Sequence, residues 1–288
     1  MNLSDINELK KLLDASGFSF KKSLGQNFII DSSVCPKMAE LSCDENTGVI
    51  EIGPGVGVLT SELAKRAKRV VAIELDERLK PILSKTIEDF NNIEVVFGDV
   101  MKLDLKKMIA EKFTDCKKVC VCANLPYYIT SPIIMMLLES KLNIDSITAM
   151  VQAEAAERLC AKVGSRQAGA VTVAVDYYSC AGILFDVSRE CFLPSPKVDS
   201  AVIKLEIRQN PPINVKDEKM FFKVVKACFA QRRKTLLNTV SNTLNIDKNI
   251  LRQILEEIDL EPTVRGEQLN ITQLALLSDK IYTSTFKP

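Results

Sequence analysis

The chain of 288 residues contains no histidine. That absence removes Ser-His-Asp triads, Cys-His dyads and any histidine-ligated zinc. It also removes the side chain that most often serves as a general base near neutral pH. Chemistry here must rest on carboxylates, amides, phenols, lysines or a reactive cofactor. No apolar run approaches the ~18 residues that a membrane-spanning helix needs. The longest candidate, Tyr127 to Leu138, is interrupted by Thr130, Ser131 and Pro132. Excess charge is missing too: 38 Lys and Arg against 37 Asp and Glu leave +1, so a nucleic-acid surface would have to gather its cations locally.

Nine cysteines form an odd set without paired spacing. Cys116, Cys120 and Cys122 lie closest together, but C-x-C is poor zinc spacing and no histidine can complete a site, so no metal is expected. The cysteines read as small apolar side chains in a reducing compartment. The first residues carry no signal-peptide pattern, and the first thirty lack Arg while holding Asp5, Glu8 and Asp14, unlike a transit peptide. A cytoplasmic protein is expected.

What is present is a globular composition, 47% hydrophobic and 26% charged, too apolar for disorder and long enough for about two domains. Residues 5–16 carry apolar side chains at helical spacing, and 17–30 read as an ordered loop. From residue 48, short apolar strands alternate with helices: 49–52, 69–73, 93–97, 119–123 and 145–151. This pattern predicts a parallel sheet covered on both faces. A helix at 170–177, a strand near 184–187 and an alternating last strand at 200–207, near the edge, complete a first domain, 1–209. Asn210-Pro211-Pro212 marks the boundary. Residues 217–240, 247–258 and 267–281 have helical periodicity and predict a small all-α domain, 210–288.

Open α/β sheets bind ligands outside the carboxyl ends of their strands. Here those ends carry Gly53, Glu74, Asp99 and Asn124, about one βα unit apart. Gly53-Pro54-Gly55-Val56-Gly57 suits close backbone approach to a ligand, although Val58 stands where a dinucleotide fingerprint has its third glycine. Glu74 can accept from both hydroxyls of a ribose. Asp99 can accept from an adenine amine, or equally cap the next helix. Together they describe a nucleoside held by turn, ribose and base.

Asn124-Leu125-Pro126-Tyr127 fits methylation of an exocyclic amine. Such a nitrogen is a poor nucleophile because its lone pair is delocalised into the base. The Asn oxygen and a neighbouring backbone carbonyl can accept its two N–H bonds, favouring a pyramidal nitrogen with its lone pair aimed at a methyl donor. No strong base is required, because the nitrogen becomes acidic once it has attacked. Tyr127 can stack on the base, a contact worth roughly 1–3 kcal/mol.

The chain resembles the ribosomal RNA adenine N6-dimethyltransferase family, of the KsgA/RsmA type. The matching stretches are Lys22 to Phe28, Val49 to Gly57, Ala72 to Asp76, Gly98-Asp99, Asn124 to Tyr128, Phe192 to Ser200 and Arg265-Gly266-Glu267, in family order across essentially the whole chain. The resemblance implies a Rossmann-like methyltransferase fold with S-adenosylmethionine as cofactor. It implies that Asn27 and the backbone at Phe28 or Ile29 close over the cofactor, that Gly53 and Gly55 approach its methionine part, and that Glu74 and Asp99 hold ribose and adenine. It implies that Asn124, with the Leu125 or Pro126 carbonyl, positions the target amine, and that Tyr127 and Phe192 sandwich a flipped base. Family substrates are two adjacent adenosines near the 3′ end of small-subunit (16S) RNA, each receiving two methyls during ribosome assembly. Leu125, rather than Ile, favours this branch over the resistance methylases of large-subunit RNA.

The small ribosomal subunit is the expected partner, and nothing demands more than a monomer. Lys219 to Ile246 contains Lys219, Lys223, Lys226, Arg232, Arg233 and Lys234 and no acid, a basic helix face suited to phosphates. Lys21, Lys22, Lys162 and Arg166 are candidates to extend it. A nicotinamide dehydrogenase is disfavoured by the missing glycine and the Asn-Leu-Pro-Tyr loop. A non-catalytic RNA-binding factor is disfavoured by the intact set of site residues.

Overall fold

The computed structural model describes Leu3, residues 5–21 and residues 25–285. Among these the chain runs α1 (Ile6–Ala15), β1 (Phe28–Ile29), α2 (Val34–Ser42), β2 (Thr47–Ile52), α3 (Val58–Ala64), β3 (Arg69–Glu74), α4 (Lys80–Thr86) and β4 (Ile93–Phe97). It continues through α5 (Leu105–Lys112), β5 (Lys118–Asn124), α6 (Thr130–Glu139), β6 (Ser146–Gln152), α7 (Ala153–Leu159), α8 (Ala170–Tyr178), β7 (Ser179–Val187), β8 (Phe192–Leu193) and β9 (Ser200–Ile207). Four helices follow: α9 (Glu218–Phe229), α10 (Leu236–Leu244), α11 (Lys248–Glu257) and α12 (Ile271–Thr285).

Seven strands form one sheet in the order β4-β3-β2-β5-β6-β9-β7. The first five are parallel, and β9 runs antiparallel to β6. The sheet is therefore mixed rather than wholly parallel, and β9 lies one strand in from the edge, inside β7. The apolar runs explain the centre: β2 is buried along its whole length, and β5 from Val119 to Ala123. Strand order reverses between β2 and β5, which opens a crevice beyond their carboxyl ends. One face of the sheet packs Val49, Val70, Cys120 and Cys122 against Met38, Leu59 and Leu63 of α2 and α3. A separate cluster joins Leu9, Leu12 and Leu13 of α1 to Phe28, Val56, Leu79, Ile82 and Leu83.

The chain divides into two compact units: residues up to Ala156 with Ala181–Ile207, and Glu157–Cys180 with everything from Arg208 onward. The last crossing lies within three residues of the expected boundary. Residues 157–180, expected in the first domain, belong to the helical unit. Val163, Val173 and Tyr177 share its core with Phe221, Val224, Leu236, Leu251 and Leu274, and the Tyr177 ring lies 5.4 Å from that of Phe221.

The expected helix 217–240 is two helices. Gln, Arg and Lys are good helix formers, so local propensity does not mark the break at 230–235. Tertiary hydrogen bonds fix it: Leu236 N–H donates to the Val264 carbonyl (2.7 Å) and Arg232 Nη2 to the Arg166 carbonyl (2.8 Å). Gly266 is buried against α9, where an added Cβ would overlap the Cys228 carbonyl. Gly266→Ala is expected to cost about 1–3 kcal/mol by overpacking, read as a lower urea midpoint at constant slope.

Among the described residues, no helix is long and apolar enough to cross a membrane, and no group of side chains has metal-binding geometry. All nine cysteines are free; Cys35, Cys120, Cys122 and Cys228 are buried, and burial pushes the Cys228 thiol up to about 12.

Candidate active site

The crevice at the sheet's switch point is a cavity lined by the ends of β2, β3, β4 and β5 and by residues 25–29. Asn27, Phe28, Ile29, Gly53, Gly55, Glu74, Asp99, Asn124, Leu125, Pro126 and Tyr127 all reach its wall. Eleven positions spread over 101 residues of sequence thus meet in one place.

The glycine turn leaves β2 with φ of +74° at Gly53, +59° at Gly55 and +90° at Gly57, all in the left-handed region that a side chain disfavours. Above Gly53 the space is open: an added Cβ would meet only the Asn124 carbonyl oxygen, 3.9 Å away. At Gly55 it would sit 3.1 Å from the Phe28 ring. The turn is a cradle that small residues keep clear.

Glu74 is 6% exposed. Its Oε2 accepts from Gly55 N–H (3.1 Å) and its Oε1 from Asp76 N–H (2.8 Å). Burial raises its pKa, the Asp76 carboxylate adds to the rise, and the backbone donors, Asp76 and Gly55 foremost, oppose it. A carboxylate has about four lone-pair sites, so two remain for a diol. Asp99 is more open; its Oδ1 accepts from Met101 N–H (3.0 Å), and its Oδ2 lies 3.6 Å from Lys102 Nζ. It closes a turn and lines the cavity, while the next helix, α5, takes its N-cap from Asp104, whose Oδ1 accepts from Lys107 N–H (3.0 Å), so the expected capping role falls to Asp104. A buried carboxylate, an open glycine backbone and a half-buried carboxylate on neighbouring strand ends fit a nucleoside-bearing cofactor.

Asn124 ends β5. Its Nδ2 donates to the Asn27 carbonyl at 3.2 Å. A carbonyl can only accept, so the amide nitrogen must face it, and Oδ1 is left without a partner among the described residues. Leu125 N–H continues the pairing with β6 through the Met150 carbonyl (3.2 Å), and its side chain is buried. The Pro126 carbonyl is occupied twice, by Ile129 N–H (3.1 Å) and Thr130 Oγ1 (3.2 Å). The Leu125 carbonyl receives no donor among the described residues. Of the two carbonyls expected to serve, Leu125 is the free one. Tyr127 is half-buried, its hydroxyl 2.8 Å from Ser200 Oγ, and burial raises its pKa. Tyr128, which closes the matching stretch with no role implied for it, is 59% exposed and lines the cavity.

Phe192 is a correction. It is 3% exposed and packs with Ile29, Val34 and Met38, away from the cavity wall. The cause is the β1–β8 ladder, which sets Ile29 opposite Phe192 and Phe28 opposite Leu193. Alternation along a strand sends neighbouring side chains to opposite faces, and Phe192 takes the core face.

The cations also need adjustment. Lys219, Lys223 and Lys226 are exposed at i, i+4 and i+7 on α9, a single face. Arg232, Arg233 and Lys234 are exposed on the α9–α10 loop, not on a helix. Lys21 is exposed; Lys22 lies outside the described residues.

Sequence reasoning missed a polar cluster beside the cavity. Asp76 receives Gln26 Nε2 on Oδ2 (2.8 Å), Arg78 Nε on Oδ1 (2.8 Å) and Arg78 Nη2 on Oδ2 (2.6 Å), which holds its carboxyl below the ordinary range. The motif positions of Gln26 and of Asp76, two residues after Glu74, are visible in the sequence; their contact with each other and with Arg78 is not.

Residues 17–275 match the family model described as ribosomal RNA adenine dimethylase. The chain is 49% identical over 278 residues to ribosomal RNA small subunit methyltransferase A of Geobacillus sp. (strain WCH70), covering 94% of this chain and 95% of that one. It is 47% identical over 276 residues to the protein of the same name from Bacillus licheniformis, covering 94% of each. Among solved structures it is similar to a dimethyladenosine transferase from Plasmodium falciparum (TM-score 0.71, 27% identity, 87% and 95% covered). It is also similar to the 23S rRNA methyltransferase ErmE (TM-score 0.65, 25% identity, 88% and 98% covered). With a family model spanning nearly its full length and relatives near half identity, the chain belongs to the ribosomal RNA adenine dimethylase family.

Proposed function

We propose that this protein dimethylates N6 of two adjacent adenosines near the 3′ end of small-subunit (16S) ribosomal RNA, with S-adenosylmethionine as donor, in the cytoplasm during ribosome assembly. The observation that carries the reading is the pair of acceptors without partners among the described residues, Asn124 Oδ1 and the Leu125 carbonyl, on adjacent residues in the wall of the cavity. An exocyclic amine offers two N–H donors, which the two acceptors would take. The cofactor supplies an electrophilic methyl group when bound. Glu74 would take its ribose, Asp99 its adenine amine, and Gly53 and Gly55 its methionine part. Asn27, Phe28 and Ile29 would cover it. Tyr127, its hydroxyl tied to Ser200, presents a fixed ring for the target base. Loss of the amine proton to solvent follows attack, which suits a chain without histidine.

The small-subunit assignment rests on the names of the near-half-identical relatives; the large-subunit enzyme ErmE is less similar. The test is methyl transfer from labelled S-adenosylmethionine to unmethylated small subunits and, separately, to large-subunit RNA, with products mapped by mass spectrometry. Adjacent dimethyladenosines in 16S RNA are expected. Label confined to large-subunit RNA would overturn the substrate. S-adenosylmethionine should raise Tm and NAD should not.

The exposed cations of the helical unit are the proposed phosphate contacts. Replacing Arg232, Arg233 and Lys234 with Gln is expected to weaken RNA binding and reduce the slope of log K against log salt by about 2–3. An unchanged slope would place the phosphate contacts elsewhere.

A further inference from the structure

A run of hydrogen bonds, carried through the covalent frame of Asp76 and of Gln26–Asn27, links Glu74 to Asn124. It starts at Glu74, whose Oε1 accepts from Asp76 N–H (2.8 Å). Asp76 Oδ2 accepts from Gln26 Nε2 (2.8 Å). Gln26 is covalently joined to Asn27, whose carbonyl accepts from Asn124 Nδ2 (3.2 Å). Each member is fixed from a second direction. Arg78 chelates Asp76 and donates from Nη1 to the Ser19 carbonyl (3.1 Å), while its guanidinium lies 5.0 Å from the Phe18 ring centroid. Gln26 Oε1 accepts from Lys21 N–H (3.2 Å). The Asn27 side chain donates to the Gly25 carbonyl (3.1 Å), which leaves its backbone carbonyl for Asn124.

Among the described residues, Gln26 is the side chain that joins the β3 end of the cavity to the 25–28 loop through Asp76. Its amide suits that bridge, because Nε2 can only donate and Oε1 can only accept, and each is engaged by a group of the opposite kind. Were Gln26 released from Asp76, the loop would lose its anchor to β3, and the Asn27 carbonyl would no longer have a fixed position. The nitrogen of Asn124 would then lose the partner that turns its oxygen toward the target.

We infer that Gln26 is a positioning residue that couples occupancy of the cofactor's ribose site at Glu74 to the orientation of the Asn124 amide. The inference rests on the proposed roles of Glu74 and Asn124. It makes binding of cofactor and of the target adenosine mutually reinforcing, with reciprocal effects of equal size, as linkage requires. A ribose diol on Glu74 steadies the carboxylate that holds Asp76 N–H; Asp76 holds Gln26; and the loop holds Asn124 in its acceptor orientation before the base arrives.

The experiment measures the Kd of S-adenosylhomocysteine alone and with saturating unmethylated small subunits. It compares the wild-type protein, Gln26→Ala and Gln26→Glu. Gln26→Glu keeps the side-chain size but sets an acceptor against Asp76. In the wild-type protein the small subunit should tighten S-adenosylhomocysteine at least ~5-fold. In both variants the ratio should fall to within about 2-fold of unity with Tm unchanged, and kcat for methyl transfer should drop more than the cofactor KM rises. A merely structural wall would weaken the cofactor and leave the ratio intact, and that result overturns the inference. So does a wild-type ratio near unity. A wild-type protein that binds no S-adenosylhomocysteine, or transfers no methyl group to small subunits, overturns the underlying reading and the coupling with it.

Discussion

Replacing Asn124 with alanine is expected to lower methyl transfer by at least ~10²–10³-fold while changing cofactor affinity by less than ~3-fold. The magnitude follows from the loss of one preorganised polar contact to a group whose charge develops in the transition state. In the ground state the exocyclic amine is flat and conjugated. As it attacks, the nitrogen becomes positive and its two N–H bonds become stronger donors. The acceptors Asn124 Oδ1 and Leu125 carbonyl therefore bind the transition state better than the substrate. Alanine removes one of the two, and also the nitrogen that ties β5 to the Asn27 carbonyl. Cofactor affinity is largely spared because its ribose, adenine and methionine contacts are assigned to Glu74, Asp99 and the glycine turn, and the 27–29 cover keeps its other anchors, Gln26 on Asp76 and the pairing of Phe28 with Leu193. Single-turnover transfer from labelled donor, alongside calorimetric binding of S-adenosylhomocysteine, separates the two effects. Equal loss of binding and transfer would show that Asn124 belongs to the cofactor's contacts and not to the target's. Asn124→Asp is the finer variant: it keeps an acceptor, has no N–H for Asn27, and so should fail through misorientation.

The site's outline is legible in the sequence because its parts coincide with changes of pattern. A run of apolar residues that ends in Gly53, Glu74, Asp99 or Asn124 marks both a strand and the place where the strand stops, so spacing alone puts four polar or glycine positions on one rim. The same logic fails where a side chain's direction depends on a distant partner. Phe192 sits in a motif and reads as a base platform. Its direction is set by two residues of pairing with β1, more than 160 positions earlier in the chain. No local pattern encodes that register. The Gln26–Asp76–Arg78 cluster is hidden for the same reason: its closure spans 50 residues. Residues 157–180 read as part of the first domain because they stand before the proline boundary. They join the helical unit because Val163, Val173 and Tyr177 find their apolar partners there. The break between α9 and α10 depends on the Val264 carbonyl, again remote in sequence.

Glu51→Gln is expected to stabilise the protein at alkaline pH. Glu51 stands in the middle of the sheet on β2, 1% exposed, two residues before the glycine turn. Neither carboxylate oxygen has a hydrogen-bond partner among the described residues, and the Thr60 hydroxyl is likewise buried and unpartnered. Burial pushes its pKa from 4.5 up to about 8; the nearby Thr60 hydroxyl offsets part of the rise, and the Glu74 carboxylate adds to it. An unfolded glutamate titrates near 4.5, so between about pH 4.5 and 8 the folded protein binds a proton that the unfolded chain does not. Stability from this group is present in full below 4.5 and is lost as pH rises through about 8, with a slope of about −1.4 kcal/mol per pH unit in between. Glutamine carries the shape of the protonated acid and no ionisation. The variant and the wild-type protein should therefore melt together near pH 4.5 and diverge above it. By about pH 8 the variant should melt about 5 °C or more higher, since each kcal/mol shifts Tm by roughly 2–4 °C in a domain of this size. The comparison isolates Glu51 from Glu74, whose raised pKa adds the same sign of slope to both proteins. Melting curves that stay parallel from about pH 5 to 8 would mean that Glu51 is as well solvated in the fold as in the open chain. The carboxyl beneath the glycine turn would then be an ionised anchor for that turn rather than a neutral buried acid.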